Sequence, residues 1–301
     1  MSATAQSLAA LRSAGALLNA RGLSALTSGS LRAFSSSSAA GSAQPTESAA
    51  PPKIVVFGGR GFVGSNVCQQ AQNAGYSVLG LSRAGTPPLA TGRWVDGVAW
   101  ARGNALEPQS YLHHLEGADA VISCVGGFGS SEEQLRVNGA ANVALIETAR
   151  AVGVPRFVFV SAHIPNVPGI EALIGGYIRG KAAAEEALRT HYPGSGVALR
   201  PGVIYGDRAI STNVTLHLGL LFKPLELLLQ KMGPEAAAKM AAVPLVGAAF
   251  VPPLPVETVA RAAVRAAVDP RVAAGVIDVW DLEKAALHME QAERAERAAR
   301  K

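Results

Sequence analysis

The chain has 301 residues, 49% of them hydrophobic, 5% aromatic and 16% charged. Charge this sparse excludes a disordered or coiled-coil chain, and the apolar share can bury the core of one large α/β domain or two small ones. The formal charge of +5 invites nucleic acid as a partner, but residues 1–50 hold three Arg against one acidic residue, Glu47. With few aromatics and no stripe dense in Lys and Arg, nucleic-acid binding is not expected.

Residues 1–50 differ from the rest in composition. They contain 14 Ala and 12 Ser, with Arg12, Arg21 and Arg32 spread among Leu8, Leu11, Leu18 and Leu26. That mixture suits an organelle import presequence, a transient basic amphipathic helix that stays out of the fold. Arg32-Ala33-Phe34-Ser35, followed by three more Ser, resembles a mitochondrial processing site. A mitochondrion is therefore expected, with a chloroplast as the alternative, since plastid transit peptides have similar compositions. Pro51-Pro52 ends the linker, and residues 51–301 are expected to form the domain.

From Lys53 onward, short β-branched runs alternate with helical stretches. Strands are predicted at 53–57, 77–81, 98–102, 120–124, 156–160 and 197–200. Helices are predicted at 62–74, 109–115, 131–152 and 170–191. This alternation predicts an α/β fold, a doubly wound parallel sheet of the Rossmann type with helices on both faces. Residues 206–280 are expected to form a small apolar substrate or lid region. Its runs at 214–229 and 240–256 are broken by charge or proline and too short to span a membrane. A greasy lid, a surface docking peripherally on a membrane or partner, or a helix packed on the sheet are the readings left open. Residues 281–301 read as a charged helical tail with a solvated face. Cys68 and Cys124 read as small core residues rather than a disulfide, and no metal site is expected.

The strongest feature is Gly58-Gly59-Arg60-Gly61-Phe62-Val63-Gly64, directly after the first strand. Gly58 would make the tight turn, Gly61 would admit a pyrophosphate, and Gly64 would let the helix pack on the sheet. The N–H groups of the first helical turn, reached at Phe62 and Val63, would face the anion. The second strand ends Leu81-Ser82-Arg83, where an NAD-binding protein would carry an acid for the ribose. Arg83, helped by Ser82 and Arg60, suits a 2′-phosphate, so NADPH is preferred to NADH.

Tyr177 and Lys181 lie four residues apart on one face of the 170–191 helix. A nearby ammonium would lower the phenol's pKa and make Tyr177 a usable acid at neutral pH. Ser161, just after the fifth strand, is placed to polarise a carbonyl oxygen.

Together these residues resemble the extended and atypical short-chain dehydrogenase/reductases. The matches are the glycine loop, Cys124-Val125-Gly126-Gly127, Asn138, Ser161, Tyr177 with Lys181, and Pro201-Gly202-Val203-Ile204-Tyr205-Gly206. The resemblance implies that the 201–206 loop lines the nicotinamide pocket, and that Cys124, Val125 and Gly126 with Pro201, Gly202 and Val203 contact the cofactor. It places Asn104 where the family often has an Asp facing the adenine. The stretches 94–100, 123–129 and 251–270 resemble a plant and algal organellar branch. That branch is similar to a fungal coenzyme Q biosynthesis protein and to the NADPH-binding accessory subunit of complex I. Two functions follow as expectations. One is NADPH-dependent reduction of a hydrophobic carbonyl or quinone-like metabolite by Tyr177, Lys181 and Ser161. The other is a non-catalytic NADPH-binding subunit, or an assembly or regulatory factor, of a membrane-associated complex such as that of quinone biosynthesis or complex I.

Overall fold

A computed structural model describes residues 50–89, 92–165, 167–211, 214–217, 219–241, 243 and 247–285. The import-signal reading of residues 1–49 and most of the charged tail lie outside these residues.

Seven parallel strands form the main sheet: β1 (Lys53–Phe57), β2 (Ser77–Ser82), β3 (Ala99–Arg102), β4 (Ala120–Ser123), β5 (Arg156–Val160), β6 (Gly196–Arg200) and β7 (Gly275–Asp278). Their spatial order is β7-β6-β5-β4-β1-β2-β3. The order in which successive strands are added therefore reverses between β1 and β4, which opens a crevice beyond their carboxyl ends. Strand β7 was not anticipated: its first two residues are exposed at the sheet edge, so it lacks the apolar run of the inner strands.

The helices are α1 (Phe62–Asn73), α2 (Ser131–Leu135), α3 (Ala141–Ala151), α4 (Ile170–His191), α5 (Gly219–Met232), α6 (Pro234–Ala241) and α7 (Val256–Val268). Successive strand residues face opposite sides, so Ile54 and Val56 join Val67, Val158, Val259 and Ala263 on the α1/α7 face. Val55 and Phe57 join Leu145, Ile146, Phe157 and Leu188 on the α3/α4 face. Each fully buried aliphatic or aromatic side chain contributes about 1.5–3 kcal/mol. This is why the inner strands read as unbroken apolar runs rather than alternating ones.

Three segments depart from the expected elements. The 109–115 helix is two 3₁₀ turns, Pro108–Ser110 and Leu112–His114. The 131–152 helix is interrupted by a π-turn at Arg136–Ala140, which carries Asn138. The apolar 214–229 run divides between a short antiparallel ribbon, Asp207–Ser211 with Val214–His217, and α5. Glu226 does not break α5 but is buried in it, accepting a hydrogen bond from the Tyr205 hydroxyl. After the prolines at 252, 253 and 255 the chain enters α7. The beginning of the tail buries Leu282 and Glu283, while Asp281 and Lys284 face solvent. No described helix is long and apolar enough to cross a membrane.

Candidate cofactor and proton-transfer site

The glycine loop sits at the point where the strand order reverses. Gly58 has φ +76°, and its N–H and that of Gly59 both donate to the Leu81 carbonyl at the end of β2. A Cβ on Gly64 would lie 2.1 Å from the Gly58 carbonyl oxygen, so only glycine lets α1 start this close to β1. Gly61 is the N-cap of α1 and supplies no side-chain cap, and the first turn contains no acid. The cradle thus has the shape and the positive helix end that a pyrophosphate needs.

Beyond β2 and β3 lies a cavity of about 270 Å³ lined by Arg83, Arg102, Asn104, Glu107 and Ser110. Two guanidiniums suit a phosphate, and the Ser82 hydroxyl already accepts the Gly85 N–H, which leaves its proton to donate. Arg102 had no sequence signal of its own; β2–β3 pairing sets it beside Ser82. Arg60 is elsewhere, its Nε donating to the Pro87 carbonyl at 3.2 Å. The Asn104 amide is engaged as well, donating to Glu107 at 2.7 Å and accepting the Leu106 N–H.

On the other side of the crevice, buried amides hold the loop after β4. Asn138 donates to the Gly127 carbonyl at 2.8 Å and accepts the Gly127 N–H at 3.2 Å. Asn142 donates to the Val125 carbonyl and accepts the Ser123 hydroxyl at 2.6 Å. The Cys124 N–H donates to the Phe57 carbonyl, and burial pushes the Cys124 thiol up to about 12, which fits the inert role expected of it. Gly126 lies beside both Asn138 and Lys181. The 201–203 segment is pinned too: the Pro201 carbonyl accepts the His163 N–H, and the Val203 carbonyl accepts the Leu254 N–H.

Helix α4 brings Tyr177 and Lys181 to this loop. It is kinked at Ile174, where φ is −125° and ψ 25°. Gln134 of α2 bridges the break: its amide oxygen accepts the Tyr177 N–H at 3.0 Å, and its nitrogen lies 3.5 Å from the Leu173 carbonyl. A side chain inserted into the helical ladder is a sufficient cause of the kink. Just before Tyr177, a Cβ on Gly176 would lie 2.0 Å from the Ser131 carbonyl oxygen. The glycine is required by the approach of α4 to α2.

The side chains are arranged differently from the sequence expectation. Lys181 is buried, and its ammonium donates to the Val160 carbonyl at 2.8 Å, lying 5.6 Å from the Tyr177 ring centroid. Burial pushes the Tyr177 phenol up to about 12 rather than down, with no lowering contribution from Lys181. The same burial pushes Lys181 down to about 8, against the opposing influence of Cys124 and Glu185. The Ser161 hydroxyl donates to Glu185, which is also gripped by the Arg200 guanidinium. Ser161 is therefore engaged rather than free to polarise a carbonyl. Gln134 and Glu185, both central to this arrangement, sit at ordinary helical positions that give no sign of their partners.

A doubly wound sheet with a glycine cradle at its switch point defines a dinucleotide-binding protein. The chain belongs to the NAD dependent epimerase/dehydratase family, whose model matches residues 54–224. It is 37% identical over 240 residues to an uncharacterized chloroplastic protein of Arabidopsis thaliana, covering 79% of this chain and 78% of that one. It is 34% identical over 175 residues to a 2-alkyl-3-oxoalkanoate reductase of Stenotrophomonas maltophilia, covering 51% of each. The fold is similar to that of the Bordetella bronchiseptica enzyme WbmH in complex with NAD+, with a TM-score of 0.50 and 17% identity. That similarity covers 75% of this chain and 74% of the other.

Proposed function

We propose that the protein is an organellar, NADPH-dependent oxidoreductase that reduces a hydrophobic carbonyl or quinone-like compound. The observation that carries the reading is the placement of Tyr177 and buried Lys181 against the loop after β4, at the switch point of the sheet. The bound cofactor would supply hydride. Gly58, Gly61 and the start of α1 would hold its pyrophosphate, and Ser82, Arg83 and Arg102 its 2′-phosphate. Lys181 would hold the ribose and Tyr177 would deliver the proton to the substrate oxygen. The reductase from Stenotrophomonas supports this chemistry, and the resemblance to the fungal coenzyme Q protein supports a quinone-related substrate in ubiquinone biosynthesis.

The engaged state of Lys181 and Ser161 favours a second reading, a non-catalytic NADPH-binding subunit of a membrane-associated complex. Assays of the purified chain with NADPH against carbonyl and quinone panels decide between them. NADPH oxidation that depends on Tyr177 supports the enzyme; tight NADPH binding without turnover on any substrate supports the subunit. Residues 1–50 fused to a fluorescent protein should direct it to mitochondria, on the Arg32 motif, or to chloroplasts, where the Arabidopsis relative resides.

A further inference from the structure

We propose that Phe128 recognises the substrate: its ring takes one face of a flat, conjugated carbonyl compound, and in the structure it rests on Tyr177 in that compound's stead. The inference rests on the oxidoreductase reading of Tyr177 and adds the shape of the substrate to it. Phe128 is 76% exposed, yet its ring lies 5.1 Å from that of Tyr177, centroid to centroid, with planes 10° apart. A phenylalanine left this far in water has apolar area to gain by covering a ligand.

Its backbone is fixed on both sides. Asn138 holds the N–H and the carbonyl of Gly127. On the far side, Gln134 donates to the Gly129 carbonyl at 2.9 Å, and Ser130 and Glu133 form a reciprocal capping box. The loop therefore presents Phe128 from a rigid base, and only the ring turns, a motion that exposed side chains complete in picoseconds to nanoseconds. The ring can leave Tyr177 without any cost in loop ordering.

The surroundings select for an apolar plane. The polar groups of Gly127 and the Gly129 carbonyl are already taken, so this strip offers a ligand few hydrogen bonds. Leu173, 80% exposed, precedes Tyr177 by one turn of α4 and flanks the same Gln134 amide. A sugar would find too few partners here, whereas a quinoid or aryl ketone ring would stack on Phe128 with its carbonyl toward Tyr177.

The test uses the full chain loaded with NADP+, which binds substrate without turnover, and two probes of equal carbon number. Menadione is the flat probe and 2-undecanone the aliphatic one, both followed by calorimetry. Phe128→Ala should weaken menadione binding about 5-fold and 2-undecanone binding less than 2-fold, while Phe128→Trp should retain menadione affinity. Uncovering Tyr177 should also move its tyrosinate titration, read at 295 nm against Tyr177→Phe, below the wild-type value. Equal losses for both probes, unchanged menadione binding in Phe128→Ala, or no binding of menadione by the wild type would each overturn the proposal. Phe128-dependent menadione binding, with no NADPH oxidation by any compound of the carbonyl and quinone panels, would uphold ligand recognition by Phe128 while sinking the oxidoreductase reading.

Discussion

Replacing Lys181 by Met separates the cost of a buried charge from everything else in the site. Lys181 is 6% exposed, and burial lowers its pKa from 10.5 to about 8. The folded value lies below the unfolded one, so between about pH 8 and 10.5 the unfolded chain holds more proton and stability rises with pH. The relief is complete above the unfolded value and is lost as pH falls through the folded one. At 1.36 kcal/mol per pH unit the whole gap corresponds to roughly 3 kcal/mol, of which about 1 kcal/mol falls between pH 7 and 9. Urea unfolding followed by tryptophan fluorescence at pH 7, 8 and 9 measures it. Subtracting the Lys181→Met variant removes the contributions of Cys68 and Tyr177, whose raised pKa values act in the opposite direction. Wild type should gain on the variant by about 1 kcal/mol across the range. A difference that stays flat, or shrinks as pH rises, refutes the burial argument.

Other outcomes follow from the same geometry. Gln134→Ala leaves the Tyr177 N–H without its acceptor at the kink and should cost about 1–3 kcal/mol of stability, measured by urea unfolding. Gly176→Ala forces a Cβ into the Ser131 carbonyl and should cost about 1–3 kcal/mol, or more where α4 cannot shift away from α2. Arg83→Ala and Arg102→Ala should each weaken NADPH binding by roughly 10- to 100-fold and leave NADH binding nearly unchanged, as titrations of both nucleotides would show. Equal effects on the two nucleotides would place the 2′-phosphate elsewhere.

The sheet was legible because its inner strands are buried on both faces and therefore write continuous apolar runs, as in Lys53–Phe57 and Arg156–Val160. The glycine loop was legible because the demand on Gly58 is its own positive φ, and that on Gly64 comes from Gly58 and Gly59 only a few residues before it. Edge strand β7 was not, since half of it faces water and carries no such run. The site was only partly readable. Helical spacing placed Tyr177 and Lys181 on one face, but what each head group touches is decided by chain segments far away in sequence. Val160 takes the ammonium, Glu185 takes the Ser161 hydroxyl, and Gln134 takes the Tyr177 N–H. None of these contacts leaves a periodicity or a spacing, so a pattern that set Tyr177 and Lys181 on one helix gave the wrong electrostatics for the phenol.

The most direct test of the account is the rate of NADPH oxidation with menadione by the purified chain, measured for wild type and for Tyr177→Phe. A phenol that delivers the proton contributes about 10²- to 10⁴-fold, so the variant should lose at least 100-fold in kcat while still binding NADPH. Turnover by wild type that is unchanged in Tyr177→Phe would contradict the assignment of this site as the place of chemistry.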